Sequence, residues 1–96
     1  MGKPLVSEKL LESKLRNMVK EAGGLAIKMV AVSFVGLPDR IILLPGGRVC
    51  FAEIKTTGQK LRPTQVAVKA MLEKMGFDYR VIDSHLDLEL FKIDYL

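Results

Sequence analysis

Two acids and a lysine in this 96-residue chain have types and spacing that could act together: Asp39, Glu53 and Lys55. Alone, Glu53-Ile54-Lys55 is an ordinary charged strand end, and Pro38-Asp39 is an ordinary turn before a strand. Register changes their weight. Pro45-Gly46-Gly47 separates two apolar runs, 39–44 and 48–55, which is a hairpin signal. If those three residues form the loop, Leu44 faces Arg48 and paired positions sum to 92. Ile41 then faces Phe51, and Asp39 faces Glu53, with Cβ atoms roughly 4.5–5.5 Å apart. Lys55, two residues on from Glu53, points to the same face. A two-residue Gly-Gly turn would shift the sum to 93 and send the acids to opposite faces. The three-residue loop, with a glycine in the left-handed conformation, is preferred, although the apolar pattern does not decide between them. Opposed carboxylates repel unless compensated by a proton, by Lys55 or by a divalent cation. Carboxylate oxygens suit Mg²⁺ or Mn²⁺. A metal, a lysine and a basic flank together describe phosphodiester hydrolysis.

The elements that must position these residues read in the order α-β-β-β-α-β-α. Residues 7–22 form a helix, with Ser7 as N-cap, Leu11, Leu15, Met18, Val19 and Ala22 at helical spacing, and Gly23-Gly24 as the stop. Residues 25–32 read as a strand with Lys28 as its lone charge, and Gly36 and Pro38 mark the following loop. After the hairpin, Thr56 to Arg62 is a polar, basic loop. Pro63 opens a helix at its first position, which Val66, Lys69-Ala70, Met71-Leu72 and Met75 continue until Gly76. Residues 78–82 form the last strand, and Ser84 caps a short terminal helix carrying Leu86, Leu90 and Phe91. Met71, Met75 and the terminal leucines read as core before interface.

Composition narrows the field. The chain is 49% hydrophobic and 27% charged, which is globular, and its length predicts a single domain over 1–96. It contains no run long and apolar enough for a membrane span and no signal-peptide core. One cysteine, Cys50, permits no internal disulfide and, with His85 as the one histidine, no structural zinc site. A reducing, cytoplasmic setting is expected. Residues 1–80 carry 14 basic and 7 acidic side chains, whereas residues 81–96 carry 1 and 4. No acid lies between Glu53 and Glu73, while Lys55, Lys60, Arg62 and Lys69 supply positive charge. That clustering fits a phosphate backbone, and a solvated face is the plain alternative. Cys50 reads as a buried small hydrophobe, Tyr79 and Tyr95 as packing residues, and His85 has no assigned role.

Glu12, then Gly36-Leu37-Pro38-Asp39, Glu53-Ile54-Lys55, and Gln65 after Gly58-Gln59-Lys60-Leu61 resemble the VRR-NUC (virus-type replication-repair nuclease) domain of the PD-(D/E)xK nuclease superfamily. The resemblance spans nearly the whole chain. It implies an α/β fold with an α-β-β-β-α-β core, a central mixed sheet flanked by helices, and here a short C-terminal helix. It implies Asp39 and Glu53 as metal ligands with the Ile54 backbone carbonyl, and Mg²⁺ as cofactor with Mn²⁺ able to substitute. Lys55 is cast as the residue that positions the attacking water and stabilises phosphorane charge, since nearby carboxylates favour its charged form. Glu12 resembles the family's first-helix acid, with pairing to Arg16 at i+4 as its alternative. Gln65 resembles the glutamine at the active site, with a local capping role as its alternative. Arg62 stands where the family often has a Ser or Thr cap, which weakens the cap and adds a phosphate-seeking charge. Lys28, Lys60, Arg62 and Lys69 are the expected DNA contacts, although Lys28 could equally extend to solvent. Stand-alone members imply a homodimeric, Mg²⁺-dependent endonuclease acting on branched DNA, with the four-way (Holliday) junction as substrate in DNA repair, in a bacterial or phage-infected host. A flap or nicking endonuclease and a non-catalytic DNA-binding module are the alternatives.

Overall fold

The computed structural model describes residues 4–30 and 32–96. Its elements are α1 (Glu8–Glu21), β1 (Leu25–Lys28), β2 (Arg40–Leu44), β3 (Arg48–Ile54), α2 (Pro63–Lys74), β4 (Asp78–Ile82) and α3 (His85–Tyr95). The strands form one mixed sheet in the order β1-β2-β3-β4, antiparallel across the first three and parallel between β3 and β4. The fold class and element order are those expected from the sequence.

The hairpin has the three-residue register. Arg40 pairs with Ala52, Ile41 with Phe51 and Leu44 with Arg48. Gly46 and Gly47 both take positive φ, 84° and 74°, which ordinary residues rarely adopt. Strand β1 is shorter than predicted, ending at Lys28, which pairs with Arg40. The Met29 N–H still donates to the Asp39 carbonyl at 2.8 Å. The next partner on that strand would be Pro38, which has no N–H to continue the ladder. Position 31 of the predicted strand lies outside the described residues.

One sheet face is sealed. Ile42, Leu44, Cys50, Ala52, Ile54 and Ile82 pack against Leu11, Leu15 and Val19 of α1 and against Leu88, Phe91 and Tyr95 of α3. Ser7 caps α1 by accepting from the Leu10 N–H at 3.2 Å, and Ser84 caps α3 by accepting from the Asp87 N–H at 3.1 Å. Cys50 is buried, as expected, and burial pushes its thiol up to about 11. Two helix faces differ from the sequence reading. In α3 the inward residues are Leu88, Phe91 and Tyr95, and Leu86 and Leu90 are exposed. In α2 the inward residues are Gln65 and Val68; Met71 and Met75, read as core, are exposed, as is Val66. The rotation of α2 follows from a polar contact made by Gln65, described next.

Candidate active site

Asp39 follows buried Pro38 and immediately precedes β2, and Glu53 is the penultimate residue of β3. Extending the observed register by one pair sets the two acids opposite each other. Backbone hydrogen bonds lock them in place. The Asp39 N–H donates to Glu53 Oε1 at 3.0 Å, and the Ile54 N–H donates to Asp39 Oδ2 at 2.9 Å. Glu53 is 3% exposed. Its other oxygen, Oε2, accepts from Gln65 Nε2 at 2.9 Å and lies 3.2 Å from the Lys55 ammonium. Burial, and then the charge of Asp39, push the Glu53 carboxyl up; Lys55 and the Asp39 N–H oppose this more weakly.

Gln65 does both things the sequence allowed. Its Oε1 accepts from the Arg62 N–H at 2.9 Å while its Nε2 holds Glu53. A carboxylate needs a donor and an N–H needs an acceptor, so the primary amide satisfies both where an acid or a lysine would fail one. Arg62 makes no side-chain cap of its own, because a guanidinium cannot accept a hydrogen bond. Gln65 therefore ties the start of α2 to the acid pair and sets which side of the helix faces the sheet.

The loop between Lys55 and Arg62 is pinned as well. The Thr57 hydroxyl accepts from the Val6 N–H at 2.9 Å and donates to the Asp83 carbonyl at 2.6 Å. The Lys55 N–H donates to the Ile82 carbonyl at 2.9 Å. Across the chain, Gly36 has φ +95°, and a Cβ there would come within 2.6 Å of the Thr64 carbonyl oxygen. The glycine thus lets the loop before Asp39 lie against the first turn of α2.

Asp39, Glu53, Lys55 and Gln65 are brought together; Glu12 is not part of that cluster. It sits on the α1 side of the sheet, where Arg40 Nε donates to its Oε1 at 3.1 Å and Nη2 makes a second contact with the same oxygen. Arg40 Nη1 also donates to the Ala26 carbonyl at 3.0 Å. Arg40 is thus the partner of Glu12, and not Arg16, the partner in the alternative reading of that acid. Among the described residues no group of three or more His, Cys, Asp or Glu side chains could hold a metal ion. The acid pair nevertheless fits one. It is hard, oxygen-only and doubly negative, and its buried member is destabilised in the charged form by the other. Mg²⁺ typically takes one or two carboxylates and keeps waters for the rest of its shell.

Of the expected DNA contacts, Lys60 and Arg62 are exposed on the loop joining Lys55 to α2, and Lys28 is exposed at the end of β1. Lys69 is already engaged, 2.9 Å from Glu73 and 5.7 Å from the centre of the Tyr79 ring. Tyr79, on the same sheet face as Glu53, is 6% exposed, and its hydroxyl has no hydrogen-bond partner among the described residues. Arg40 and Thr57 are the residues sequence reasoning missed, whereas Tyr79 is buried as the packing residue it was read to be. Arg40 carried a signal, a charge at the head of the apolar strand Ile41-Ile42-Leu43-Leu44; Thr57 carried none.

The mixed sheet carries an acid just ahead of its second strand and Glu53-Ile54-Lys55 at the end of its third, as the sequence reading expected. The comparisons agree. The chain is 38% identical over 80 residues to the protein named "Putative nuclease p44" of Acyrthosiphon pisum secondary endosymbiont phage 1, covering 83% of this chain and 86% of that one. A solved structure described as a "VRR_NUC domain" superposes with a TM-score of 0.87 at 22% identity, covering 95% of this chain and 100% of that one. No family model matches the chain. The chain belongs to the VRR-NUC family and is a nuclease, a nucleic-acid hydrolase. No helix among the described residues is long and apolar enough to cross a membrane.

Proposed function

We propose that this nuclease is a Mg²⁺-dependent, structure-selective DNA endonuclease that resolves four-way junctions as a homodimer, with Mn²⁺ able to replace Mg²⁺. The observation that carries the catalytic part is the opposed Asp39–Glu53 pair, with Glu53 buried and its Oε2 held by Lys55 and Gln65. Asp39, Glu53 and the Ile54 carbonyl would hold the cation. When bound, it supplies Lewis acidity and an activated water.

The chain's own residues do the rest. The Asp39–Glu53 backbone lock fixes both carboxylates before substrate arrives, so no reorganisation is needed at the reacting phosphate. The Lys55 ammonium, held beside Glu53, is placed to stabilise charge on the phosphoryl oxygens and to orient the attacking water. Gln65 holds Glu53 from the helix side and leaves the first turn of α2 facing the site, where backbone N–H groups favour an anion. Lys60 and Arg62 flank that turn and suit the DNA backbone.

Self-association is supported by the sheet face that carries the acids. Leu25 and Ile27 of β1 pair with Leu43 and Ile41 there, and both β1 side chains are exposed. Val30, Val32 and Val35, beyond the end of β1, are exposed as well. A symmetric dimer through it would set two acid pairs in fixed relation, as paired nicks require.

The test is a panel of labelled duplex, single strand, flap and four-way junction with Mg²⁺, Mn²⁺ or EDTA, run with Glu53→Ala and Lys55→Ala. Paired symmetric cuts in the junction, metal-dependent and lost in both variants, are expected. Metal-dependent cleavage of another structure would replace the substrate, and cleavage in EDTA would overturn the metal reading.

A further inference from the structure

Away from the acid pair, a cleft of about 290 Å³ opens between α1 and β1, lined by Arg16, Asn17, Lys20, Gly24, Leu25 and Ala26. Its composition is one-sided. Two cations and an amide converge on it from α1, and no carboxylate lines it. Four basic side chains of the molecule are paired with acids: Arg40 with Glu12, Lys55 with Glu53, Lys69 with Glu73 and Arg80 with Asp94. Among the described residues neither Arg16 nor Lys20 has such a partner. They lie four residues apart on one helix face, about 6 Å along the axis. The opposite wall is β1, an edge strand, hydrogen-bonded to β2 on one side only. Its outward N–H groups have no ladder partner.

The cleft is also continuous with the acid pair's end of the sheet. Ala26, one of its lining residues, accepts a hydrogen bond from Arg40, the residue after Asp39. Lys28, two residues beyond Ala26, pairs with Arg40 across the strands. Ala26 pairs with Ile42, three residues along β2 from Asp39, or about 10 Å. Lys28, exposed at the end of β1, therefore lies along the strand edge between the cleft and the site.

We infer that this cleft is a second phosphate-binding site, which takes the sugar-phosphate backbone of the substrate DNA on an arm away from the cut, an inference that rests on DNA being the substrate. Unpaired cations, an amide donor and open strand N–H groups are what a phosphodiester backbone recognises, and none of them reads a base. The site adds affinity and places the DNA relative to the acid pair without touching the reacting phosphate.

The test is binding of a long-armed four-way junction in EDTA, where no cut occurs, by fluorescence anisotropy across a salt series. Arg16→Gln/Lys20→Gln is compared with wild type and with Lys74→Gln/Lys92→Gln, which removes the same charge elsewhere. Both pairs are exposed, so the variants fold, and thermal melts verify it. The slope of log affinity against log salt should become shallower by about 2 in the cleft variant, with affinity down about tenfold at physiological salt. The control should keep the wild-type slope. A cleft variant with the wild-type slope, or a control that loses as much, overturns the inference. Wild-type DNA cleavage in Mg²⁺, measured in parallel, separates the two readings. Cleavage with an unchanged slope removes the cleft alone, and a shallower slope without cleavage removes the nuclease mechanism and keeps the cleft.

Discussion

The two faces of the sheet are built by opposite rules. On the α1–α3 face, residues 42, 50, 52 and 54 meet two helices, and the packed side chains are almost all apolar. The exception is Arg40, which is hydrogen-bonded to Glu12 and to a carbonyl. On the other face the same strands carry Asp39 and Glu53, one short helix, and apolar residues of β1 left open to solvent. Glu53 is as buried as a core residue, yet it is charged, faces a like charge and has its pKa raised. One face holds the chain together; the other keeps an arrangement that burial and a like charge oppose, and it is there that the proposed site lies.

The comparison breaks most sharply through Glu53→Gln. The acid-pair face should lose about a thousandfold or more in cleavage rate with only a small loss in thermal melting, because the amide fills the same volume and removes the opposed charge, although its NH2 meets a donor that Glu53 accepts from. Equal loss of stability and activity would erase the distinction between the faces. Phe91→Ala, on the sealed face, should do the reverse. Phe91 is fully buried, and its removal should lower stability by about 3–5 kcal/mol in denaturant unfolding, with metal affinity of the folded molecules unchanged.

Glu12→Gln sharpens the assignment of that residue. It leaves the Arg40 guanidinium, buried on the core side, without its counter-charge, at about 2 kcal/mol in denaturant unfolding. A rate loss as deep as that of Glu53→Gln, without loss of stability, would return Glu12 to the catalytic set. Gln65→Ala removes a donor to Glu53 and the acceptor for the Arg62 N–H, and should cost about 1–2 kcal/mol. Its cleavage rate should fall about tenfold, reflecting a less ordered carboxylate rather than a missing ligand.

The smallest effect is in pH. Because the Glu53 pKa is raised on folding, the native state binds the proton more tightly than the unfolded chain. Its contribution to stability is greatest at low pH and falls as pH rises from the ordinary value of 4.5 through the raised one. Denaturant midpoints across that interval should drop more for wild type than for Glu53→Gln. Cation affinity should run the other way, weakening as pH falls and the proton competes for Glu53.

How much of this was legible depends on how local its cause is. Pro45-Gly46-Gly47 fixes the loop length, and loop length fixes the register that opposes Asp39 and Glu53, so the heart of the site could be read from the sequence. Ser7 and Ser84 marked their helices for the same reason. The pairing of Glu12 with Arg40 was not legible, because it depends on where α1 lies across the sheet. The inward face of α2 was misread because its apolar residues do not decide it. Gln65, held by Glu53, turns Val66, Met71 and Met75 outward. Lys69 looked free in a run without acids, but its partner Glu73 lies one helical turn on.

The most direct test of the central claim is calorimetric titration of the protein with Mn²⁺, beside Asp39→Asn and Glu53→Gln. Mn²⁺ should bind the wild type, each single variant should lose that binding, and both variants should remain folded. Binding that persists undiminished in both variants, or no binding to the wild type at all, would contradict the claim.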